Sequence, residues 1–353
     1  QITPDTPRLA RARGVINFSE TGFSVAGAQA KALGGDVRIE GGLSSPGAAH
    51  PVAGNKSPAP QVMRLQGTAT AEGLLLAREL GFAARLAQYA TGSAAYAATL
   101  GFRSGIAELA VSSNLVGMAL NLPAPFTKSA DAALPLQLET SAVKASLGST
   151  TDGVAHTQDQ LKLDVGKLAS IAFVRDVSGP EARVLRGAIA VGLTADEFAP
   201  MPTEGVAANV NLPSLNLDAW SEVLSRAVGT DLTPAKVATS DIPASASYLP
   251  NSVAVRAREL TVGGRKLNNV VVGGGREGRL WRANLDASEI NGYVEYRQSA
   301  GPTAGRLYAR LSRLVIAQNA AQEVENVLDE QPASIPALDI VVDDFELRGK
   351  RMG

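Results

Sequence analysis

The sequence predicts a mostly β protein, and three observations lead to this prediction. Apolar and polar residues alternate with a period of two in many short segments, as they do from Met63 to Ala71. The chain contains 35 Gly and 19 Pro, and aromatic residues make up only 5% of it, which is typical of turn-rich β proteins. Only two short segments show helical spacing, which excludes a doubly wound α/β fold.

Two arrangements of the strands satisfy this pattern. One is a set of tandem β-sandwiches with filled cores. The other is a long, meandering antiparallel sheet whose apolar face lines a groove. Both need strands with one apolar and one polar face, so the period alone leaves both open.

Charge and composition exclude several functional classes. The 353 residues carry 33 basic and 34 acidic side chains, a net charge of −1, so no global field attracts the chain to nucleic acid or anionic lipid. The absence of cysteine excludes disulfides and thiolate metal sites, and it suits a compartment such as the bacterial periplasm. The two histidines, His50 and His156, lie in polar, loop-like sequence, which argues against a histidine metal site or a Ser-His-Asp triad.

In the first part of the chain the pattern predicts strands joined by turns. Residues 16–25 read as a hairpin and residues 41–60 as a mobile loop rich in Gly, Pro and Ser. Glu108–Lys128 reads as a second hairpin, with a turn at Gly117 and a final strand that ends at its two prolines. Alternation resumes over residues 132–138.

Two segments change to helical spacing. The first runs from residue 73 to about 90 and contains a break point at Gly81, and the second runs from 217 to 228 with Asp218 near its start, where the helix dipole favours an acid. The large apolar residues of each segment fall on one face, the pattern of an amphipathic helix. They are Leu75, Phe82, Leu86 and Tyr89 in the first, and Leu217, Trp220, Leu224 and Val228 in the second.

The remaining segments complete the predicted organisation. Alternating segments recur up to residue 348, interrupted by residues 317–334, which are acidic and poor in strand formers and read as a linker or loose helical insertion. We therefore expect one β segment with the first helix, a second β segment with the second helix, the linker, and the start of a next strand repeat. Their ranges are 1–140, 141–316, 317–334 and 335–353.

No motif in the chain points to catalysis. Gly273–Gly278 fits G-x-G-x-x-G, but a strand follows it rather than the helix that a nucleotide site needs, so it reads as a hairpin turn. Asp343 and Asp344 are adjacent on a predicted strand and therefore point to opposite faces. With Asp339 they read as solvated strand-edge charge rather than as a metal or acid/base cluster. A carbohydrate-active enzyme would need two converging carboxylates, and the sequence nominates no such pair.

Several segments, taken in order, resemble the AsmA-like envelope proteins of the YhdP branch. The first has the pattern V-x-S-x-L-x-G-x-x-x-x-L-P-x-P-x-x-K followed by Pro-Leu, and the second contains Leu-Pro-x-Leu-x-Leu-Asp-x-Trp. The resemblance extends over roughly residues 15 to 353, without a counterpart for the Gly/Pro loop or for residues 317–334. The segments are Val111–Lys128 with Leu134–Leu138, Leu212–Leu224, Trp281–Tyr296 and Ile335–Gly349.

This resemblance implies a lipid carrier of Gram-negative bacteria. Family members look like long, twisted antiparallel sheets curled into a groove, anchored to the inner membrane and facing the periplasm. The chain would then be a fragment whose anchor lies outside it, and it would move phospholipid toward the outer membrane, supporting the permeability barrier without enzymatic activity or a cofactor. Phospholipid acyl chains are the implied ligand and other envelope proteins the implied partners, with no nucleic acid.

The groove lining would be the apolar set of each strand. The candidates are Met63, Leu65, Leu100, Leu134, Leu136, Leu138, Ile189, Val191, Val255, Leu285, Leu307 and Leu311. A non-catalytic structural or adhesive β module, with filled cores and no groove, is the alternative.

Overall fold

The computed structural model places 66% of the described residues in strands. It describes residues 7–20, 22–44, 62–103, 106–143, 150–151, 154–155, 157–179, 181–194, 199–228, 247–299, 305–316, 337–347 and 349–352. His50, His156, the predicted linker 317–334 and most of the predicted loop 41–60 lie outside these ranges. The chain forms two compact units, Gln1–Arg183 with Val223–Gly229 and Val184–Glu222 with Thr230–Gly353. The four segments predicted from sequence are based on composition and on the periodicity of apolar residues, and their boundaries stay a prediction.

Unit 1 is a meandering antiparallel sheet. Its main strands follow the order β1-β2-β3-β4-β5-β6-β8-β11-β12, and every neighbouring pair is antiparallel. β9 and β10 form a small separate hairpin. The strands are β1 (Ala10–Ser19), β2 (Gly22–Ala32), β3 (Gly34–Ser44), β4 (Val62–Thr70), β5 (Ala90–Arg103), β6 (Ile106–Ser113), β7 (Met118–Leu120), β8 (Leu136–Ala142), β9 (Thr150–Thr151), β10 (Val154–Ala155), β11 (Gln158–Val165) and β12 (Ala169–Asp176).

The predicted hairpin at Glu108–Lys128 is wrong. β6 and β7 run in the same direction along one edge of β5, with Ser113 opposite Tyr96 and Met118 opposite Gly92. The chain between them makes a turn at Val116 and Gly117 and then continues along β5 instead of reversing. A glycine with φ +95° fits a kink in an interrupted strand as well as it fits a hairpin turn, and the sequence pattern does not separate the two.

The first helical segment is correctly placed, but only part of its predicted apolar face is turned inward. It consists of α1 (Ala71–Leu76), a 3₁₀ turn Arg78–Leu80, α2 (Phe82–Leu86) and a second 3₁₀ turn Ala87–Tyr89, with a break at Gly81 as expected. Leu75 and Phe82 are 46% and 45% exposed. Leu86 and Tyr89 of the predicted face are half-buried, as is Leu74. The buried positions are small residues, namely Ala71, Gly73, Ala77, Ala84 and Ala87.

Small residues face inward because the helical segment lies very close to the sheet. A Cβ atom added at Gly73 would overlap the carbonyl group of Leu33 in the β2–β3 turn. Ala71 packs with Ala90, Ala94 and Met118 in a compact cluster. Leu74 also packs against this cluster, and the tight contact with the β2–β3 turn is made at Gly73, where a larger residue has no room.

Unit 2 is a mixed sheet. Its strands follow the order β13-β14-β15-β16-β17-β18-β19-β20-β21, with three parallel pairs at β13–β14, β14–β15 and β19–β20. The strands are β13 (Arg183–Val191), β14 (Gly205–Asn216), β15 (Ser252–Val262), β16 (Arg265–Glu277), β17 (Leu280–Asp286), β18 (Ile290–Arg297), β19 (Arg306–Ile316), β20 (Ala337–Leu347) and β21 (Lys350–Arg351).

The parallel pairs qualify the antiparallel prediction and have a simple cause. Parallel neighbours need a crossover of about a dozen residues or more, and each of these pairs is joined by a long connection, residues 192–204, 217–251 and 317–336. Each unit is thus built mainly on one sheet of described strands whose neighbour order does not close into a ring. This mostly β arrangement, an open mixed sheet with a few short helices, differs from the two packed sheets of a sandwich.

The second helix, α3 (Leu217–Val228), forms where it was predicted, but Leu217 and Leu224 of its predicted apolar face are 40% and 42% exposed. Trp220 packs against the apolar cluster around Leu212 and Leu260. Asp218, predicted near the helix start, accepts hydrogen bonds from the backbone N–H groups of Gly263 and Gly264, at 2.7 and 2.8 Å. The first turn of α3 therefore holds the β15–β16 turn.

Candidate functional site: the apolar sheet faces

One face of the unit 1 sheet carries apolar residues in register from strand to strand. Cross-strand pairing places the residues of each row side by side, so a row runs across the sheet perpendicular to its strands. One row is Val25–Gly41–Met63–Leu100–Leu109, the next is Ala28–Ile39–Leu65–Ala98–Val111–Leu138–Leu163–Ile171, and the third is Ala30–Val37–Gly67–Tyr96–Ser113–Leu136–Val165–Ala169.

The opposite face of the same sheet is polar. Its rows alternate with the apolar ones, and the ion pair of Lys162 with Asp164 lies on it at 2.9 Å. Burial raises the pKa of Asp164, but hydrogen bonds from Ser170 and Lys162 outweigh it and lower the pKa overall. The two polar rows are Glu40–Arg64–Thr99–Ala110–Glu139–Lys162–Ala172 and Arg38–Gln66–Ala97–Ser112–Gln137–Asp164–Ser170.

Tyr96 is a polar group on the apolar face. It lies next to Gly67, and its hydroxyl is close to the position that a Cβ of Gly67 would occupy. The ring thus covers the gap left by the missing side chain. Burial raises the pKa of the Tyr96 hydroxyl above its ordinary value, so the group stays neutral over the physiological pH range.

A buried ion pair also lies on the apolar face of unit 1. Asp159 and Arg175 are opposite each other on β11 and β12, in phase with Leu161 and Phe173. The Arg175 Nε and Nη2 atoms donate to the two Asp159 carboxylate oxygens at 2.9 and 2.6 Å, and the two side chains are only 14% and 7% exposed. This fork geometry is the strongest arrangement for an arginine–carboxylate pair.

Unit 2 repeats the two-faced design. The apolar face contains a cluster of Leu212, Leu215, Ala257, Leu260 and Val270. Two rows run across its sheet, Val191–Val210–Val255–Val272–Leu285–Gly292–Leu311–Val342 and Ile189–Ala208–Val253–Gly274–Ala283–Val294–Ala309–Ile340.

The opposite face of unit 2 carries a network of charges. Arg310 pairs with Asp339 at 2.9 Å, and its guanidinium lies 4.0 Å from the ring centre of Tyr308. Arg282 lies 3.7 Å from Glu295, which accepts a hydrogen bond from Tyr293. These charges and the apolar rows lie on alternate residues of the same strands, so the two faces are sharply different.

The predicted lining residues fall on these apolar faces with one exception. Met63, Leu65, Leu100, Leu136 and Leu138 belong to the unit 1 rows, and Ile189, Val191, Val255, Leu285 and Leu311 belong to the unit 2 rows. Leu307 lies on β19 two residues from Ala309 and so shares its face. Leu134 precedes β8 instead, buried at 9% exposure, with its N–H donated to the Asn114 carbonyl at 2.8 Å. The strand predicted over 132–138 begins only at Leu136.

The remaining motif residues have structural roles. The Lys128 ammonium is buried and donates to the carbonyl oxygens of Met118 and Ser129, at 2.7 and 2.8 Å, which ties the loop after β7 to that strand. Gly273–Gly278 forms the end of β16 and its turn into β17, as expected. Asp344 pairs with Arg351 at 2.7 Å. No three metal-ligating side chains come together within the described ranges.

The sequence reasoning missed the Asp159–Arg175 pair. Both residues stand in the apolar phase of their strands, where Leu161, Leu163 and Val165 follow Asp159, and Phe173 precedes Arg175. A charge at an apolar position on two neighbouring strands was the available signal. Periodicity alone does not show that these two strands pair in the register that brings the charges together.

Comparison with known proteins agrees with the family resemblance of the ordered sequence segments. A family model described as "YhdP protein" matches residues 1–353. No curated protein and no solved structure gives a match. Of the helices in the described ranges, none has the length and apolar character needed to cross a bilayer.

Proposed function

Because the chain belongs to the YhdP family of AsmA-like envelope proteins, we propose that its apolar sheet faces carry phospholipid acyl chains between the inner and outer membranes. The observation behind this proposal is that apolar rows run across neighbouring strands of each sheet, opposite a charged face. A carrier of this kind works in the periplasm and supports the permeability barrier of the outer membrane.

The energetics of acyl chains fit such a face. Each CH₂ group removed from water contributes about 0.8 kcal/mol, so a chain of about fifteen such groups gains roughly 12 kcal/mol when fully covered. An open sheet face covers only part of the chain and provides a fraction of this. Partial cover is useful in a carrier, because a lipid that is held too tightly does not move on.

The composition of the rows favours movement. Ala, Gly, Val and Leu offer similar apolar contact at every step of a row. Such contact is non-directional, so it does not depend on the position of an acyl chain along the face. We therefore assign the chain a non-catalytic role that needs no cofactor.

Photo-crosslinking in Gram-negative cells tests the proposal in the full-length protein. A photoreactive residue replaces one apolar-face residue at a time, Leu65, Leu138 or Leu285, and we expect each to capture phospholipid. The matched controls are the preceding residues Arg64, Gln137 and Asn284, which point to the opposite face and are exposed. They share the same depth in the envelope, so they report mere proximity to a membrane.

The two other outcomes contradict the proposal in different ways. Equal capture on both faces would mean that the protein only lies near lipid. Capture on neither face would indicate a sealed interior, and a structural or adhesive envelope module would then be the better assignment.

A further inference from the structure

The helical segment of unit 1 presents large apolar side chains to solvent. Leu75 and Leu76 in α1 and Phe82 in α2 are 46%, 79% and 45% exposed. They lie within eight residues of one another at one end of the sheet, beside the β2–β3 turn. Single exposed leucines are common, but three large apolar side chains in so short a segment are a recognisable surface feature. We call Leu75, Leu76 and Phe82 the apolar tip.

The exposure of the apolar tip is enforced by the packing beneath it. Ala71 and Gly73 occupy the inner face of α1, and Thr70 caps the helix by accepting a hydrogen bond from the Gly73 N–H at 3.0 Å. Because Gly73 is in direct contact with the β2–β3 turn, α1 cannot rotate to bury its leucines. A rigid base with outward apolar side chains is what a docking element requires.

Basic side chains outnumber acidic ones near the apolar tip. The Arg8 backbone N–H donates to a Glu79 carboxylate oxygen at 3.0 Å, which places the start of the basic β1 segment against the 3₁₀ turn. Lys31 and Asp36 at this end pair with each other at 3.0 Å. A depression of about 420 Å³ lies beside Leu76, with Arg8 and Arg78 among its lining residues. The helical segment also carries Arg85 and Glu72, and β1 adds Arg11 and Arg13 close to Ala10, which pairs with Lys31 near the β2–β3 turn.

From this combination we propose that the apolar tip docks on the surface of a bilayer that contains anionic phospholipid. The apolar side chains enter the boundary between headgroups and acyl chains, and the arginines face the phosphates, as in other interfacial elements. A protein partner fits less well, because a stable interface needs about 800 Å² on each side. Three partly exposed side chains supply much less than that. The inference concerns a surface distinct from the apolar sheet faces.

Vesicle binding by the intact 353-residue chain tests this inference. The probe is vesicles of phosphatidylethanolamine and phosphatidylglycerol, with phosphatidylcholine vesicles as the uncharged comparison. We expect binding to the anionic vesicles that weakens as salt rises, and a drop of about tenfold or more for Leu76→Ser with Phe82→Ser. Val271→Ser is the matched control, because Val271 is 46% exposed, as Phe82 is at 45%, and it lies on the charged face of unit 2. This substitution should leave binding unchanged.

A single label locates the contact. Because the chain has no native cysteine, Leu76→Cys accepts one environment-sensitive fluorophore, and we expect its emission to shift to the blue with anionic vesicles. The same label at Val271→Cys should not shift. Equal binding to both vesicle types, or equal loss in the control variant, would overturn the inference. So would a shift that follows protein concentration without vesicles, because that would assign the tip to a second copy of the chain.

The two proposals can fail separately. Loss of vesicle binding in the tip variants together with unchanged lipid capture at Leu65 would support both. Unchanged vesicle binding with intact capture would remove the docking tip alone. Absence of capture with tip-dependent vesicle binding would remove the carrier role alone.

Discussion

The two units carry the same two-faced sheet but complete the apolar face differently. In unit 1 the helical segment Ala71–Tyr89, which we call the helical cap, contacts the sheet through Ala and Gly. The apolar face there includes the buried Asp159–Arg175 pair. In unit 2 the start of α3 places Trp220 against the apolar cluster, and the Arg310–Asp339 pair lies on the opposite, more exposed face. The apolar face of unit 1 is thus completed by small residues in close contact and by an ion pair. That of unit 2 is completed by a bulky aromatic residue.

This difference shows that residue type alone does not decide what a position does. On α1 the residue in tight contact is Gly73, while Leu75 and Leu76 point to water. On α3 Trp220 packs against the apolar cluster, while Leu217 and Leu224 are 40% and 42% exposed. Likewise an arginine–carboxylate pair is buried in unit 1 and solvated in unit 2, although both join neighbouring strands. The spacing of the layers and the face of the strand decide the outcome.

The largest expected effect comes from breaking the buried ion pair. Arg175→Leu leaves the Asp159 carboxylate buried and unpaired, and we expect the free energy of unfolding to fall by about 3 kcal/mol. Arg310→Leu in unit 2 should cost less than about 1 kcal/mol, because its partner is solvated. Urea denaturation measures both.

Replacing both partners provides the decisive control for the ion pair. Asp159→Leu with Arg175→Leu removes the unpaired charge, so it should restore most of the stability that Arg175→Leu loses. If Arg175→Leu costs no more than Arg310→Leu, the two pairs experience similar solvent and the contrast between the units disappears.

A smaller effect is expected at the close approach of the helical cap. In Gly73→Ala the added Cβ meets the backbone of Leu33, so the cap must shift and the free energy of unfolding should fall by about 2 kcal/mol. Gly81→Ala is the comparison, because nothing lies within 4 Å of its added Cβ and only its φ of +56° is strained. Its cost should be about 1 kcal/mol. Equal costs would show that space beneath the cap is not limiting.

The smallest effect concerns pH and Tyr96. Burial raises the pKa of its hydroxyl in the folded state, whereas the unfolded chain ionises near the usual value of about 10. Stability from the neutral hydroxyl is therefore full below that value and is lost as pH rises above it. Tyr96→Phe removes this dependence, so its unfolding free energy should fall less between pH 8 and pH 10.5 than that of the unchanged chain. Parallel falls would mean that Tyr96 ionises as freely in the folded protein as in the unfolded chain.

Sequence periodicity predicted the faces of the strands better than the connections between them. The residues from Met63 to Ala69 and from Leu307 to Leu311 alternate clearly, and their apolar sides are those of the rows. The pattern at Glu108–Lys128 predicts a hairpin although the strand is interrupted, because a glycine turn and two prolines suit both structures. Leu134 continues the alternation numerically but lies in a loop, since the strand begins two residues later.

The sequence by itself determined which residues share a face, because a period of two follows from the geometry of an extended chain. It also determined where the helices lie, and through its ordered motifs it determined the family. Only the tertiary structure decided that β6 continues into β7, that three strand pairs are parallel, that Asp159 meets Arg175, and that Leu75, Leu76 and Phe82 point outward. These facts depend on which strands become neighbours and how closely the layers approach. Contacts between residues distant in the chain set both, and no local pattern records them.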